Sequence, residues 1–144
     1  MEFNSKFNIL VLYWKLFFTC CIYTTCYPIL YFTLENISSF KYLKMNKKLY
    51  VIKNIIKAIS LCYLSIVSYQ LVYELFRYGH LDMTKMRNWG CIFVGNDVTA
   101  LYMIPKLPKN TRNHHLMTGF LLNFVFWLDG NEMEFIKLIA VYTI

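Results

Sequence analysis

One acid and two histidines are the residues of this 144-residue sequence that are best suited to chemistry. Asp97 lies near the middle of the apolar stretch 88–104, and the adjacent pair His114 and His115 follows a loop that contains two prolines. A carboxylate at bilayer depth costs at least about 2.5–3.5 kcal/mol, so an acid in such a stretch is a candidate for function. Histidine titrates near neutral pH, and it can act as a general base or hold a polar ligand.

The spacing of these residues predicts that they meet in space. Helices over 88–104 and 112–128, joined by a short loop, would form a hairpin. At 1.5 Å per residue, Asp97 then lies about 12 Å below the loop and the histidines about 5 Å below it. Thr118 follows His114 by four residues and His115 by three, so it shares their helix face. We therefore predict a lipid-binding site that consists of Asp97, His114, His115 and Thr118.

Other interpretations of the same residues stay open. Asp97 can hold a polar network with Asn96 or a neighbouring helix, while the histidines only extend toward the membrane interface. We expect no metal site, because adjacent histidines on a helix point roughly 100° apart and no third ligand is spaced for them. The five cysteines form no CxxC pair. The sequence also lacks a glycine-rich phosphate loop, a nucleophile elbow and an HExxH motif, so we expect no cofactor.

The composition is that of a membrane protein. Hydrophobic residues make up 58% of the chain and charged residues 16%, where soluble domains have roughly 45–50% and about 25%. The formal net charge is +7, but the basic residues lie in short blocks between apolar runs. Such blocks set membrane topology and contact anionic lipid headgroups. We therefore expect membrane lipids as partners and no nucleic acid.

The hydropathy pattern predicts an all-α, multi-pass transmembrane bundle of about five helices in one domain, 1–144. The apolar runs are 7–34, 55–76, 88–104, 112–128 and a final, interrupted run at 135–144. The second run has 22 residues, or about 33 Å of helix, which is enough to cross a hydrocarbon core of about 30 Å. Three polar residues within these runs are expected to make hydrogen bonds between helices: Lys15, Gln70 and Asn123.

The distribution of basic residues predicts the orientation of the bundle. If the chain crosses at each run, loops 35–57 and 105–115 lie on the same side. This side has nine basic residues: Lys41, Lys44, Lys47, Lys48, Lys53, Lys57, Lys106, Lys109 and Arg112. The opposite side has four: Lys6, Arg77, Lys85 and Arg87. The positive-inside rule then places the two basic loops in the cytosol and the N-terminus on the non-cytosolic side.

Two segments of the sequence resemble a known family. They are WGCIFVGND at 89–97 and KLPKNTRNHHL at 106–116. They are similar to the centre of the TLC-domain family, which includes ceramide synthases, TRAM proteins and small lipid-homeostasis proteins. These proteins carry an Asp within a membrane helix, then a loop, then an HH pair that opens the next helix. The resemblance covers 47–144 and is strongest over 88–120.

The resemblance implies a protein of lipid homeostasis that binds, senses or redistributes membrane lipids in the endoplasmic reticulum or another endomembrane. Asp97, His114 and His115 match the central polar positions of the family. In the ceramide-synthase branch, the histidines are implicated in the acyl-CoA-dependent N-acylation of a sphingoid base, which would make these three residues catalytic.

Two departures from the family leave enzyme activity open. The chain ends at 141–144, where family members continue through further helices, which is consistent with a truncated, divergent or partner-dependent protein. The downstream acidic and histidine positions of the acyltransferase branch are missing as well. A non-catalytic membrane scaffold is the third alternative, and the sequence leaves both a homo-oligomer and a hetero-oligomer open.

Overall fold

The computed structural model describes residues 2–79 and 82–127. All regular secondary structure in these two ranges is helical, which confirms the all-α class. The helices are α1 (Glu2–Leu34), α2 (Ser38–Lys41), α3 (Met45–Tyr78), α4 (Met83–Met103) and α5 (Lys109–Trp127). Four of them are long, and α2 is a single turn in the connection between α1 and α3.

The helices differ from the predicted runs mainly at their ends. Helix α3 begins at Met45 instead of residue 55, because lysines are good helix formers even though they lower the local hydropathy. Several basic residues that were assigned to a loop are therefore helical. Five helices are described, but one of them is α2, a single turn that the hydropathy pattern did not predict. The run 135–144 that was predicted as that helix lies outside the described residues.

Glycine, aspartate and proline set the boundaries between the last three helices. Gly79 ends α3 with a φ of 67°, a left-handed conformation that glycine adopts without a steric penalty. The Asp82 side chain caps α4 by accepting the backbone N–H of Lys85 at 3.0 Å, and this bond lowers the pKa of Asp82 below its ordinary value. Pro105 follows the end of α4, and the Pro108 carbonyl accepts the N–H of Arg112 at 2.9 Å to start α5.

Helix α4 lies at the centre of the bundle. It packs against α1, α3 and α5, and its residues 94–97 are buried in succession, which means that it is covered on every side. Gly95 allows α1 to come close: a Cβ atom at this position would lie 2.8 Å from Cγ2 of Thr19. The central position of α4 brings Asp97 into the middle of the protein.

Polar side chains join the helices, as small hydrogen-bond networks do in membrane bundles. The Tyr23 hydroxyl of α1 lies 2.8 Å from Oγ of Ser60 on α3 and donates to the Ile92 carbonyl of α4. Lys15 donates to Asn88 at 2.8 Å, and Tyr13 donates to Asn123. The predicted interhelical bonds of Lys15 and Asn123 are thus present. The prediction was wrong for Gln70, which donates to Glu74 one turn along its own helix.

Two helices are long and apolar enough to cross a membrane. These are the segments Ile9–Leu34 and Met45–Tyr78, each with a mean hydropathy of 1.6. Only 11% and 17% of the residues in their most apolar windows are buried. A core helix of a soluble protein would be mostly buried, whereas these helices present large side chains such as Phe18, Phe32 and Ile66 outward. This outward apolar surface is what a hydrocarbon environment would cover.

Candidate functional site

Asp97 lies at the junction of three helices. Its side chain is 0% exposed, and one of its oxygens, Oδ1, accepts a hydrogen bond from Lys57 Nζ of α3 at 2.9 Å. The Nδ1 atom of His115 on α5 lies 3.3 Å from the same oxygen. Thr118, one turn further along α5, places its hydroxyl 3.4 Å from Oδ2. We call Lys57, Asp97, His115 and Thr118 the Asp97 cluster.

The helix hairpin positions the two sides of this cluster at one depth. Asp97 is six residues before Met103, the last residue of α4, and His115 is six residues after Lys109, the first residue of α5. Both are therefore about 9 Å from the connecting loop. The sequence predicted unequal depths because it placed the start of α5 at residue 112. With the observed helix ends, the two side chains face each other directly.

The two adjacent histidines occupy different environments. His115 is buried against Asp97, whereas His114 is exposed, and their ring centroids are 5.8 Å apart. Consecutive positions on a helix diverge by roughly 100°, so only one residue of the pair can face α4. The structure thus brings together Asp97, His115 and Thr118, and it leaves His114 at the rim of the cluster.

Thr118 lines the cluster but directs its proton to the helix backbone. Its hydroxyl donates to the His114 carbonyl at 2.6 Å, which is much shorter than the 3.4 Å to Asp97 Oδ2. A threonine hydroxyl has a single proton to donate and can still accept through its lone pairs. Thr118 is therefore available to a ligand as an acceptor rather than as a donor.

Lys57 is the member of the cluster that the sequence did not predict. Hydropathy assigned it to the basic loop 35–57, but it lies within α3, with its ammonium also 3.7 Å from the centroid of the Phe93 ring. Its flanking residues gave the signal: isoleucines at 55, 56 and 59 surround it on an apolar helix. A buried acid usually pairs with another charge, and Lys57 supplies that charge for Asp97.

Several buried polar atoms near the centre of the bundle lack a hydrogen-bond partner within the described residues. They are both ring nitrogens of His115, the Tyr27 hydroxyl and both amide atoms of Asn96. The 3.3 Å approach of His115 Nδ1 to Asp97 is close, but it does not have the angles of a hydrogen bond. Each unpaired buried group costs about 1–3 kcal/mol. Each such group calls for an explanation, such as a water molecule or a polar ligand that bonds to it.

The fold brings Asp97 close enough to the two adjacent histidines to form a group of three metal-ligand side chains. One ligand atom from each of Asp97, His114 and His115 lies within 4.8 Å of the others. The Lys57 ammonium is bonded to the same carboxylate, however, and it both neutralises Asp97 and repels a divalent cation. The cluster therefore suits a hydrogen-bonding ligand better than a metal ion, and the absence of a metal site stays a prediction.

No protein-family model matches this chain, and neither curated proteins nor solved structures give a match. The similarity of 89–97 and 106–116 to TLC-domain proteins therefore stays a prediction. What the Asp97 cluster does has to be inferred from its own geometry.

Proposed function

We propose that this protein is a multi-pass membrane protein whose Asp97 cluster binds the polar headgroup of a membrane lipid. Through this site it would act in lipid homeostasis by binding, sensing or redistributing lipids. The observation that supports the proposal is a fully buried Asp97, paired with the partly exposed Lys57, beside a histidine with no hydrogen-bond partner in the described residues. This polar centre lies inside a bundle with an apolar outer surface. An amphiphile matches both environments, because it offers a polar head and apolar tails.

The depth of the cluster fits a lipid headgroup. Asp97 lies about 9 Å from the end of α4, and His115 lies about 9 Å from the start of α5. In a membrane, this depth would be near the level at which the hydrocarbon core meets the headgroup region. Lipid tails could then run along the exposed apolar faces of α1 and α3. The TLC-like segments and the basic loops support the finer proposal of an endomembrane such as the endoplasmic reticulum, with the N-terminus on the non-cytosolic side.

Lipid retention by two single variants tests this proposal. His115→Gln removes the buried imidazole, and His114→Gln makes the same change at the exposed neighbouring position. We expect native mass spectrometry of the purified protein to show bound lipid in the wild type and in His114→Gln. We expect His115→Gln to retain several-fold less. Equal lipid in all three proteins would contradict binding at the Asp97 cluster and would favour a purely structural role.

A second function, acyl transfer, is favoured by one observation. His115 contacts the buried carboxylate through Nδ1 and leaves Nε2 without a partner among the described residues. A general base needs one nitrogen oriented by an acid and the other free, so this function requires the Nδ1 approach to Asp97 to tighten into a hydrogen bond when the substrate binds. In N-acylation, Nε2 would take the proton of the attacking amine. The C–N bond would form as the thioester C–S bond breaks, and the thiol would leave with a proton.

The decisive assay for acyl transfer uses reconstituted protein with acyl-CoA and a sphingoid base. We expect turnover by the wild type to fall at least about a hundredfold in His115→Ala, the lower end of the usual contribution of a general base. The variant His114→Ala should keep most of the activity. Turnover that survives in His115→Ala would exclude this residue as the base.

A further inference from the structure

Lys53 is a nearly buried cation that lacks an acidic partner. It lies on α3, one turn before Lys57, and keeps only 7% of its surface exposed. No carboxylate in the described part of the chain is within ion-pair distance of it, and its ammonium is 5.1 Å from the centroid of the Tyr50 ring. Its carbon stem is buried while the ammonium itself reaches the surface of the bundle, where it has no carboxylate among the described residues to pair with. Lys53 is thus available to bind an anion that does not belong to the described residues.

The lysines that precede and follow Lys53 along the buried side of α3 both have an acidic partner. Lys48 lies 2.9 Å from Glu35, and Lys57 lies 2.9 Å from Asp97. Each of these charges is neutralised by a carboxylate of the protein. Only Lys53, between them, is left without one, although Asp97 and Lys57 are both near enough to act on it electrostatically. Within the described residues, these three lysines have only two carboxylates between them, so one positive charge is left to attract an anion.

Hydrogen-bond donors on another helix complete the environment. Tyr27 of α1 is almost fully buried with its hydroxyl unpaired within the described residues. It packs in the same core as Ile52 and Ile56, which flank Lys53 on α3, and the charge of Asp97 acts on it as well. An ammonium and a hydroxyl, both of which donate hydrogen bonds, call for a ligand with several acceptor oxygens. A phosphate group provides these, and its bonds to charged donors are strong.

We infer that the lipid headgroup bound at this site contains a phosphate, which Lys53 holds as its cationic contact and Tyr27 as a hydrogen-bond donor. This inference rests on the proposed lipid-binding function and names the class of headgroup. In this arrangement, Lys57 and Lys53 have different roles. Lys57 neutralises the buried acid, and Lys53 is the one that meets the ligand.

A matched pair of lipids and a matched pair of variants test this inference. Phosphatidic acid and diacylglycerol with the same short acyl chains differ only in the phosphate. Their binding is titrated in dodecyl maltoside micelles, which contain no phosphate. The variant Lys53→Gln removes the unpaired charge, and Lys47→Gln removes an equal charge from an exposed position on the same helix. Circular dichroism and thermal melting verify that both variants fold.

We expect the wild type and Lys47→Gln to bind phosphatidic acid at least about tenfold more tightly than diacylglycerol, as one charge-assisted hydrogen bond would give. Lys53→Gln should lose this preference and still bind diacylglycerol. Tyr27→Phe, which removes only a hydroxyl, should weaken phosphatidic acid binding by a few-fold. Inorganic phosphate, added as a competitor, should displace the lipid only weakly.

The alternative outcomes separate this inference from the function on which it rests. Equal affinity of the wild type for the two lipids, or equal losses in Lys53→Gln and Lys47→Gln, would overturn the phosphate assignment and leave lipid binding intact. Inorganic phosphate that binds as tightly as phosphatidic acid would show that the ligand is a soluble anion. Failure to bind either lipid would overturn the proposed function itself.

Discussion

The ion pair between Lys57 and Asp97 joins a partly exposed cation to a buried acid. Asp97 is completely buried, and its charge is balanced by the ammonium at 2.9 Å. Removing one partner of such a pair strands the other charge in a medium that solvates it poorly. Replacing both partners by neutral side chains of similar size removes the penalty together with the bond. The pair should therefore behave as a unit.

We predict a strong thermodynamic coupling between these two residues. Asp97→Asn and Lys57→Met should each lower the free energy of unfolding by about 3–5 kcal/mol, and the double variant should recover most of that loss. Unfolding in mixed detergent micelles, followed by circular dichroism, measures all four proteins. Lys85→Met breaks the exposed pair of Lys85 with Asp82 and should cost less than about 1 kcal/mol. Additive losses at 57 and 97 would contradict the coupling.

At the scale of the helices, close packing of α1 against α4 positions the site. Gly95 lies two residues before Asp97, and the nearest side chain is Thr19, whose branched Cβ holds its methyl group in place. Small residues at such contacts let two helices approach in a membrane. Gly119 on α5 differs, since a Cβ there would meet its nearest neighbour, Val98, at 3.9 Å. These two glycines provide a matched comparison.

We predict opposite effects for alanine at these two positions. In Gly95→Ala, the new methyl group would overlap Thr19, and the overpacking should cost about 1–3 kcal/mol. In Gly119→Ala, the methyl group has room, so the higher helix propensity of alanine should stabilise the protein by roughly 0.5–1 kcal/mol. Melting temperatures in detergent give the comparison. A Gly95→Ala protein as stable as Gly119→Ala would show that α1 and α4 do not pack this closely.

The all-α class and the four long helices could be predicted from the sequence, but the composition of the site only in part. Prolines 105 and 108 marked the turn between the last two of these helices, and the hairpin put Asp97 near a histidine. Hydropathy averages over many residues, so it could not distinguish Lys57 inside α3 from the lysines of a loop. Which histidine faces Asp97 depends on the rotation of α5 about its own axis. That rotation is decided by packing against α4, which no local pattern records.

At the scale of the whole molecule, the distribution of charge is uneven along the bundle. Seven basic residues lie at the end that carries the α1–α3 connection and the α4–α5 loop, since Lys53 and Lys57 lie deeper within α3, and four lie toward the opposite end. The positive-inside rule relates such an excess to the cytosol. The Asp97 cluster is nearer the basic end, because it lies about 9 Å from the α4–α5 loop.

We predict that the N-terminus faces the lumen of an endomembrane and that the basic connections face the cytosol. A glycosylation-acceptor tag at the N-terminus should be modified in microsomes, and the same tag inserted after Tyr42 should not. A tag in the α4–α5 loop should behave like the one after Tyr42, which provides an internal control. Glycosylation after Tyr42, with an unmodified N-terminus, would reverse the orientation and place the Asp97 cluster near the lumen.

Lys57 keeps 21% of its side chain exposed, whereas Asp97 keeps none. The ammonium is thus the outer half of the pair, and anything that approaches the acid along α3 meets positive charge first. The positive charge of Lys57 favours the approach of negatively charged groups and disfavours the approach of small cations. The lysine therefore separates the fully buried carboxylate from cations that would come from that side.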